Sequence, residues 1–126
     1  MLRRFSGAGL LLLGLAGSAL AAETPARTVV LAVAPVGNAW RAALLQSWAR
    51  TADAAARAGL AVEASMRIAS ADTIAAEAAQ VTALIAEHPA AIVIDAGSPE
   101  TLNPVVRQAC DAGIVVLSFD GIVTEP

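Results

Sequence analysis

Four short apolar runs, each separated from the next by a helical pattern, constrain this chain more than any other feature. The first, Thr28-Val29-Val30-Leu31-Ala32-Val33-Ala34, is continuous and β-branched, as a strand covered on both faces should be. Pro35-Val36-Gly37 breaks it, and Asn38 is placed to cap a long helix reaching about Ala58. Trp40, Leu44, Trp48 and Ala52 recur every four residues and predict the buried stripe of that helix. Gly59 stands where a helix ends, and Leu60 to Met66 reads as a second, more exposed strand. Ser70 and Asp72 open a second helix whose stripe is Ile74, Ala78, Val81 and Ile85, and His88-Pro89 closes it. Ala90 to Ile94 is the third strand.

The third helix has two competing starts, Ser98-Pro99-Glu100 and Asn103-Pro104. A proline inside a helix removes a hydrogen bond, so one irregular turn is expected before a regular helix to Ala112. Gly113 ends it, and Ile114 to Phe119 forms the fourth strand. The order β-α-β-α-β-α-β with short connections implies parallel strands and right-handed crossovers. The expected fold class is therefore α/β: an open parallel sheet of four strands in the order 2-1-3-4, with helices on both faces.

The first residues belong to a different physical class. Met1-Leu2-Arg3-Arg4 is a short basic start, the run from Gly9 to Leu20 is apolar, and Ala19-Leu20-Ala21 presents small residues. This is the pattern of a cleavable signal peptide over residues 1–21, with an h-region too short for a typical membrane span. The expected mature chain is 22–126, starting at Ala22 or Glu23, in the periplasm. Setting aside Arg3 and Arg4 leaves six basic against eleven acidic residues, a balance near −5. Such a chain has no electrostatic footprint for nucleic acid or anionic lipid. Cys110 is the only cysteine, so no internal disulfide can form, and it is expected to be a small buried helix residue.

Several chemistries are excluded by what the residues lack. There is no lysine, which removes P-loop and Schiff-base mechanisms. The first strand-to-helix turn carries Gly37 alone, where a dinucleotide site needs further glycines for close approach of the pyrophosphate. His88 and Cys110 lie on different helices without metal-ligand spacing. A nucleophile beside a histidine is not expected either, since His88 feeds the amino end of the third strand. No cofactor, metal or catalytic residue is expected, and the chain does not read as an enzyme.

Polar recognition remains. Three strand ends deliver Asn38-Ala39-Trp40-Arg41, Asp95-Ala96-Gly97-Ser98 and Asp120-Gly121 to the carboxyl edge, where open α/β sheets bind ligands. The loop after the second strand, residues 68–71, should lie at the same edge but farther out. Asn38 can donate and accept, Arg41 offers a fork of donors, Asp95 and Asp120 accept, and Trp40 offers a flat apolar face. That set suits a sugar or polyol. Each residue also has a structural role available: Asn38 as helix cap, Trp40 in the core stripe, Arg41 in solvent, Asp95 at the positive start of the third helix, and Asp120 in a turn.

These residues resemble the amino-terminal lobe of type I periplasmic sugar-binding proteins, the ribose-binding-like receptors of ABC importers. The resemblance covers nearly all of residues 28–126. It rests on the Gly37-Asn38-Ala39-Trp40-Arg41 turn, the Asp95-Ala96-Gly97-Ser98-Pro99 loop, and Ala112-Gly113-Ile114-Val115-Val116 running into Ser118-Phe119-Asp120. It implies that Asn38 and Trp40 contact sugar from the first helix and that Asp120 binds sugar hydroxyls. Arg41 stands where ribose binders carry a second aromatic, and Gly121 where they carry an arginine, so the ligand is left open. It further implies an ABC permease as partner and a second lobe, absent here, that closes on the ligand by hinge motion. An exposed interlobe face would then favour self-association. The competing reading is a flavodoxin-like exported interaction domain with no small-molecule ligand.

Overall fold

The computed structural model describes residues 25–124. The expected signal peptide lies outside the described residues. Seven elements follow in order: β1 Arg27–Val33, α1 Ala39–Arg57, β2 Val62–Ile68, α2 Ile74–Glu87, β3 Ala91–Ile94, α3 Asn103–Asp111 and β4 Val115–Ser118. All pairings are parallel, as the alternation of elements required, and the strand order is β2-β1-β3-β4, the order expected. With every strand parallel, the loops following β1, β2, β3 and β4 share one edge of the sheet.

Two strands begin later than their hydrophobicity implied, and both for one reason. After α1, Leu60 N–H donates to Ala55 C=O and Gly59 N–H to Ala56 C=O, with Gly59 at φ +70°. After α3, Ile114 and Gly113 make the equivalent pair to Ala109 and Cys110, with Gly113 at φ +80°. This double closure consumes the backbone of the first apolar residue after each glycine. The ladders therefore open at Val62 and Val115, not at Leu60 and Ile114.

The third helix resolves its two starts as the prolines demanded. Ser98 Oγ accepts from Thr101 N–H at 3.3 Å and closes a separate turn, and α3 begins at Asn103 with proline at its start. In α2 the capping residue is Thr73, whose Oγ1 accepts from Ala76 N–H, instead of Ser70 or Asp72. Asp72 is engaged by Arg41 instead.

The two faces of the sheet are covered unequally. Val30, Ala32, Ile92 and Ile94 face α2 and α3, forming one core with Val81, Leu84, Leu102, Val105, Val106 and Ala109. Burying a side chain such as Leu84 or Leu102 stabilises by roughly 1.5–3 kcal/mol. The opposite face carries α1 alone. No residue of α1 is fully buried: Leu44, Trp48 and Ala52 are half-buried, and Trp40 is 46% exposed. The expected stripe thus holds for its last three members only, because Trp40 lies beyond the strands at the sheet edge. Val115 and Leu117 of β4 are also exposed.

Cys110 is exposed, contrary to the expectation of burial. The apolar face of α3 is Val105, Val106 and Ala109. Cys110 follows Ala109 by about 100° of helical rotation and so lies off that face. No helix among the described residues is long and apolar enough to cross a membrane.

Candidate functional site

The structure brings all five residues singled out by the sequence to one place. Asn38, Trp40, Arg41, Asp95 and Asp120 line a single open cleft of about 410 Å³ at the carboxyl edge of the sheet.

Each is held there by its own local structure. Asn38 is extended at φ −154° and caps α1, its Oδ1 accepting from Arg41 N–H at 2.8 Å. Capping uses the carbonyl oxygen and leaves the amide Nδ2 as the donor group. The capping role and a recognition role are therefore compatible in one side chain. Trp40, one residue into the helix, sits near Phe119, with ring centroids 6.4 Å apart and planes tilted by 31°. Its exposed remainder is a flat apolar surface beside the polar groups.

Arg41 is the hub. Its Nη1 donates to Pro35 C=O and lies 3.3 Å from Asp72 Oδ1, while its Nε lies 4.0 Å from Asp95 Oδ2. One guanidinium thereby ties together the loops that follow β1, β2 and β3. Its side chain is only 18% exposed, so it is not a solvated arginine. Asp72, expected from the sequence to start a helix, contributes instead to this bridge.

Asp95 is the most enclosed of the five, with a side chain 11% exposed. Burial is the largest influence on its carboxyl and pushes the pKa above 3.8. Arg41 pulls it down, the nearby Asp120 pushes it up, and a hydrogen bond from the Gly121 backbone pulls it down. A half-enclosed carboxylate beside a guanidinium is a feature that binding sites share with structural ion-pair networks. Asp95 does not serve α3, whose first turn begins at Leu102 and Asn103 without a side-chain cap.

Asp120 is exposed and adopts φ +57°, a left-handed conformation that non-glycine residues seldom take outside turns. The next residue explains the turn. A Cβ on Gly121 would collide with the Ala96 carbonyl oxygen, and Ala96 N–H donates to Gly121 C=O at 3.2 Å. The loops after β3 and β4 are thus pressed together backbone to backbone, which sets Asp95 and Asp120 side by side.

One contributor has no counterpart among the residues expected from the sequence. Glu77 of α2 is 4% exposed, and its Oε2 accepts from Gly97 N–H at 2.9 Å. A Cβ at Gly97 would come within 2.9 Å of the Ile74 side chain. This buried acid holds the loop after β3 from behind. The signal available was an acid set among the apolar residues of the first turns of α2, but it and its glycine partner are 20 residues apart. Among the described residues, no three His, Cys, Asp or Glu side chains are grouped as metal ligands would be.

The cleft therefore combines hydroxyl acceptors, a donor fork and amide, and an aromatic face, at the edge where α/β sheets bind small molecules. The family model described as periplasmic binding protein domain matches residues 29–126, which includes every one of these residues. The chain belongs to that family. Its members are solute-binding proteins, not enzymes, and membership implies a periplasmic or extracellular protein.

Solved structures agree with this assignment to the periplasmic binding proteins. An ABC transporter solute binding protein from Thermobispora bispora superposes with a TM-score of 0.70 at 29% identity, covering 77% of this chain and 30% of its own. An arabinose binding protein from Geobacillus stearothermophilus gives 0.64 at 25% identity, covering 76% and 31%. A periplasmic solute binding protein from Actinobacillus succinogenes, solved with bound D-allose, gives 0.68 and covers 77% and 32%; at 18% identity it shows the shared fold alone. The chain thus spans about a third of the length of these structures. No curated protein matches the chain.

Proposed function

We propose that this periplasmic binding protein is the amino-terminal lobe of a sugar or polyol receptor serving an ABC importer, and that Asn38, Trp40, Arg41, Asp95 and Asp120 are its ligand contacts. The observation that carries the reading is the convergence of those five side chains on one cleft. In it Asp95 and Asp120 accept from ligand hydroxyls, Asn38 and Arg41 donate to ligand oxygens, and Trp40 covers a C–H face. Carboxylates held in place before the ligand arrives need no reorganisation to accept hydroxyls.

The cleft is open to solvent, and this limits what the chain achieves alone. A sugar on one wall keeps much of its hydration, and its hydrogen bonds replace bonds to water at little net gain. Small-molecule sites bury most of their ligand, so a second lobe closing over the cleft supplies most of the affinity in this reading. Val36, Trp40 and Ile122 are exposed apolar side chains that such a lobe would cover.

Titration of the purified chain with a panel of pentoses, hexoses and polyols tests the reading by NMR. Weak, roughly millimolar binding is expected, ~−4 kcal/mol, with shifts confined to the Trp40 indole, the Asn38 amide and the loops bearing Asp95 and Asp120. Shifts elsewhere, or none at saturating sugar, would refute the site. Micromolar or tighter binding by a monomer would refute the need for a second lobe.

The periplasmic part of the proposal requires export. The basic start, apolar run and Ala19-Leu20-Ala21 pattern support the reading of residues 1–21 as a cleaved signal peptide. Intact mass of protein from the periplasmic fraction should correspond to a chain starting at Ala22 or Glu23. Retention of Met1 with partition into membranes is the contrary result.

A further inference from the structure

The edge strand β2 is left with an exposed apolar ladder. Val62, Met66 and Ile68 are all exposed and, being alternate residues, share one face of the strand. Arg27 N–H donates to Ala61 C=O and Ala69 N–H donates to Val33 C=O, so the odd-numbered residues of β2 turn their amides toward β1. The even-numbered ones, Ala64 and Met66 among them, direct N–H and C=O away from the sheet. A cleft of about 290 Å³ lies beside β2 on the α2 side, and one of about 150 Å³ on the α1 side. A strand of this length, apolar on one face and open at its edge, is a template for another strand.

The charges choose the partner. The opposite face of β2 carries Glu63 and Arg67, placed symmetrically about Ser65. An antiparallel copy of the same strand, with Ser65 on the two-fold axis, sets Glu63 opposite the copy's Arg67 and Arg67 opposite its Glu63. In that register Ala64 faces Met66, and these are the residues whose backbone groups point outward. They would form hydrogen-bonded pairs, while Glu63, Ser65 and Arg67 fall at the non-hydrogen-bonded positions where side chains approach most closely. Shifting the register by two residues in either direction keeps the backbone pairing but loses the charge match. We propose that β2 pairs with β2 of a second copy in this register, joining two four-stranded sheets into one of eight.

Formation of the pair replaces two present contacts. Arg67 Nη1 donates to Met66 C=O, and Nη2 pairs with Glu87 at 3.1 Å. Both partners of that ion pair are about half exposed, and exposed pairs of this kind contribute little. The Met66 carbonyl then accepts from the copy's Ala64 N–H, and Arg67 turns to the copy's Glu63.

The test uses protein purified from the periplasmic fraction in a Cys110→Ser background. Sedimentation should show a concentration-dependent monomer–dimer equilibrium. Glu63→Arg should weaken it by about tenfold or more, because the two-fold axis imposes each like-charge contact twice. The exchanged variant Glu63→Arg/Arg67→Glu should restore it, which a mere folding defect would not allow. Ser65→Cys should oxidise to a covalent dimer, since the two Cα atoms would lie about 4.5 Å apart, whereas Glu63→Cys should not. A chain that stays monomeric to millimolar concentration would overturn the proposal. So would a dimer indifferent to Glu63→Arg in which Ser65→Cys fails to cross-link, since its contacts would lie elsewhere, as on the apolar surface around the sugar cleft.

Discussion

Gly121→Ala should lower the melting temperature by about 5–20 °C, the shift for a domain of this size when overpacking costs about 1–3 kcal/mol. The added Cβ would meet the Ala96 carbonyl oxygen, a backbone atom that cannot rotate aside as a side chain would. Relief requires the loops after β3 and β4 to part. Parting stretches the bond from Ala96 N–H to Gly121 C=O and the hydrogen bond that Gly121 gives to Asp95. The effect should reach the site as well, because this contact lies directly beside Asp95 and Asp120 and holds the loops that carry them together. Thermal unfolding by circular dichroism measures the first effect and sugar titration the second. A variant melting within about 2 °C of the parent would show that the loops are not in close contact.

Asp95→Asn should move stability and binding in opposite directions. The carboxyl of Asp95 is held above its unfolded value of 3.8, chiefly by burial. Between that value and its higher folded pKa, the folded state binds more protons than the unfolded one. Stability therefore falls as pH rises through this window, and the full penalty persists above it. An amide of the same shape carries no charge to desolvate, so the variant should melt higher than the parent at pH 7 and lose this part of its pH dependence. Arg41 retains Asp72 as a partner at 3.3 Å, so it is not stranded by the change. In the proposed complex the same substitution removes a charged acceptor, which for one such hydrogen bond is about 1.5–3 kcal/mol, or about 10–100-fold in affinity. Melting curves from pH 3 to 8, paired with sugar titrations, read both signs. A variant less stable than the parent at pH 7 would show that Arg41 and Gly121 outweigh burial at this carboxylate.

The alternation of apolar runs and helical stripes is enough to determine the fold class. Parallel strands with right-handed crossovers follow from it, a common edge for every strand-to-helix loop follows from parallel strands, and the observed order β2-β1-β3-β4 is the expected one among several that the alternation permits. That is why Asn38, Trp40, Arg41, Asp95 and Asp120 could be gathered to one place from spacing alone. Periodicity and capping are local properties, set by residues three to four apart, and the chain states them directly. The cap at Asn38 and the separate turn at Ser98 were legible for that reason.

Tertiary structure alone decided how those residues are used. Arg41 reaches Asp72 across 31 positions and Asp95 across 54, and Glu77 reaches Gly97 across 20. Such pairs have no spacing signature, because the fold, not the helix or strand period, brings them together. Trp40 belongs to the helical stripe by its number, yet the sheet ends before reaching it, so its ring stays at the cleft. Cys110 is apolar enough to be buried, but the α2 and α3 core is satisfied by Val105, Val106 and Ala109 on the other side of the helix. The starts of β2 and β4 moved because Gly59 and Gly113 recruit the next residue to close a helix, a competition for one backbone amide that hydrophobicity does not record. The chain by itself determined which residues stand at the edge of the sheet; packing between distant segments determined which charges meet there and which aromatic face stays open.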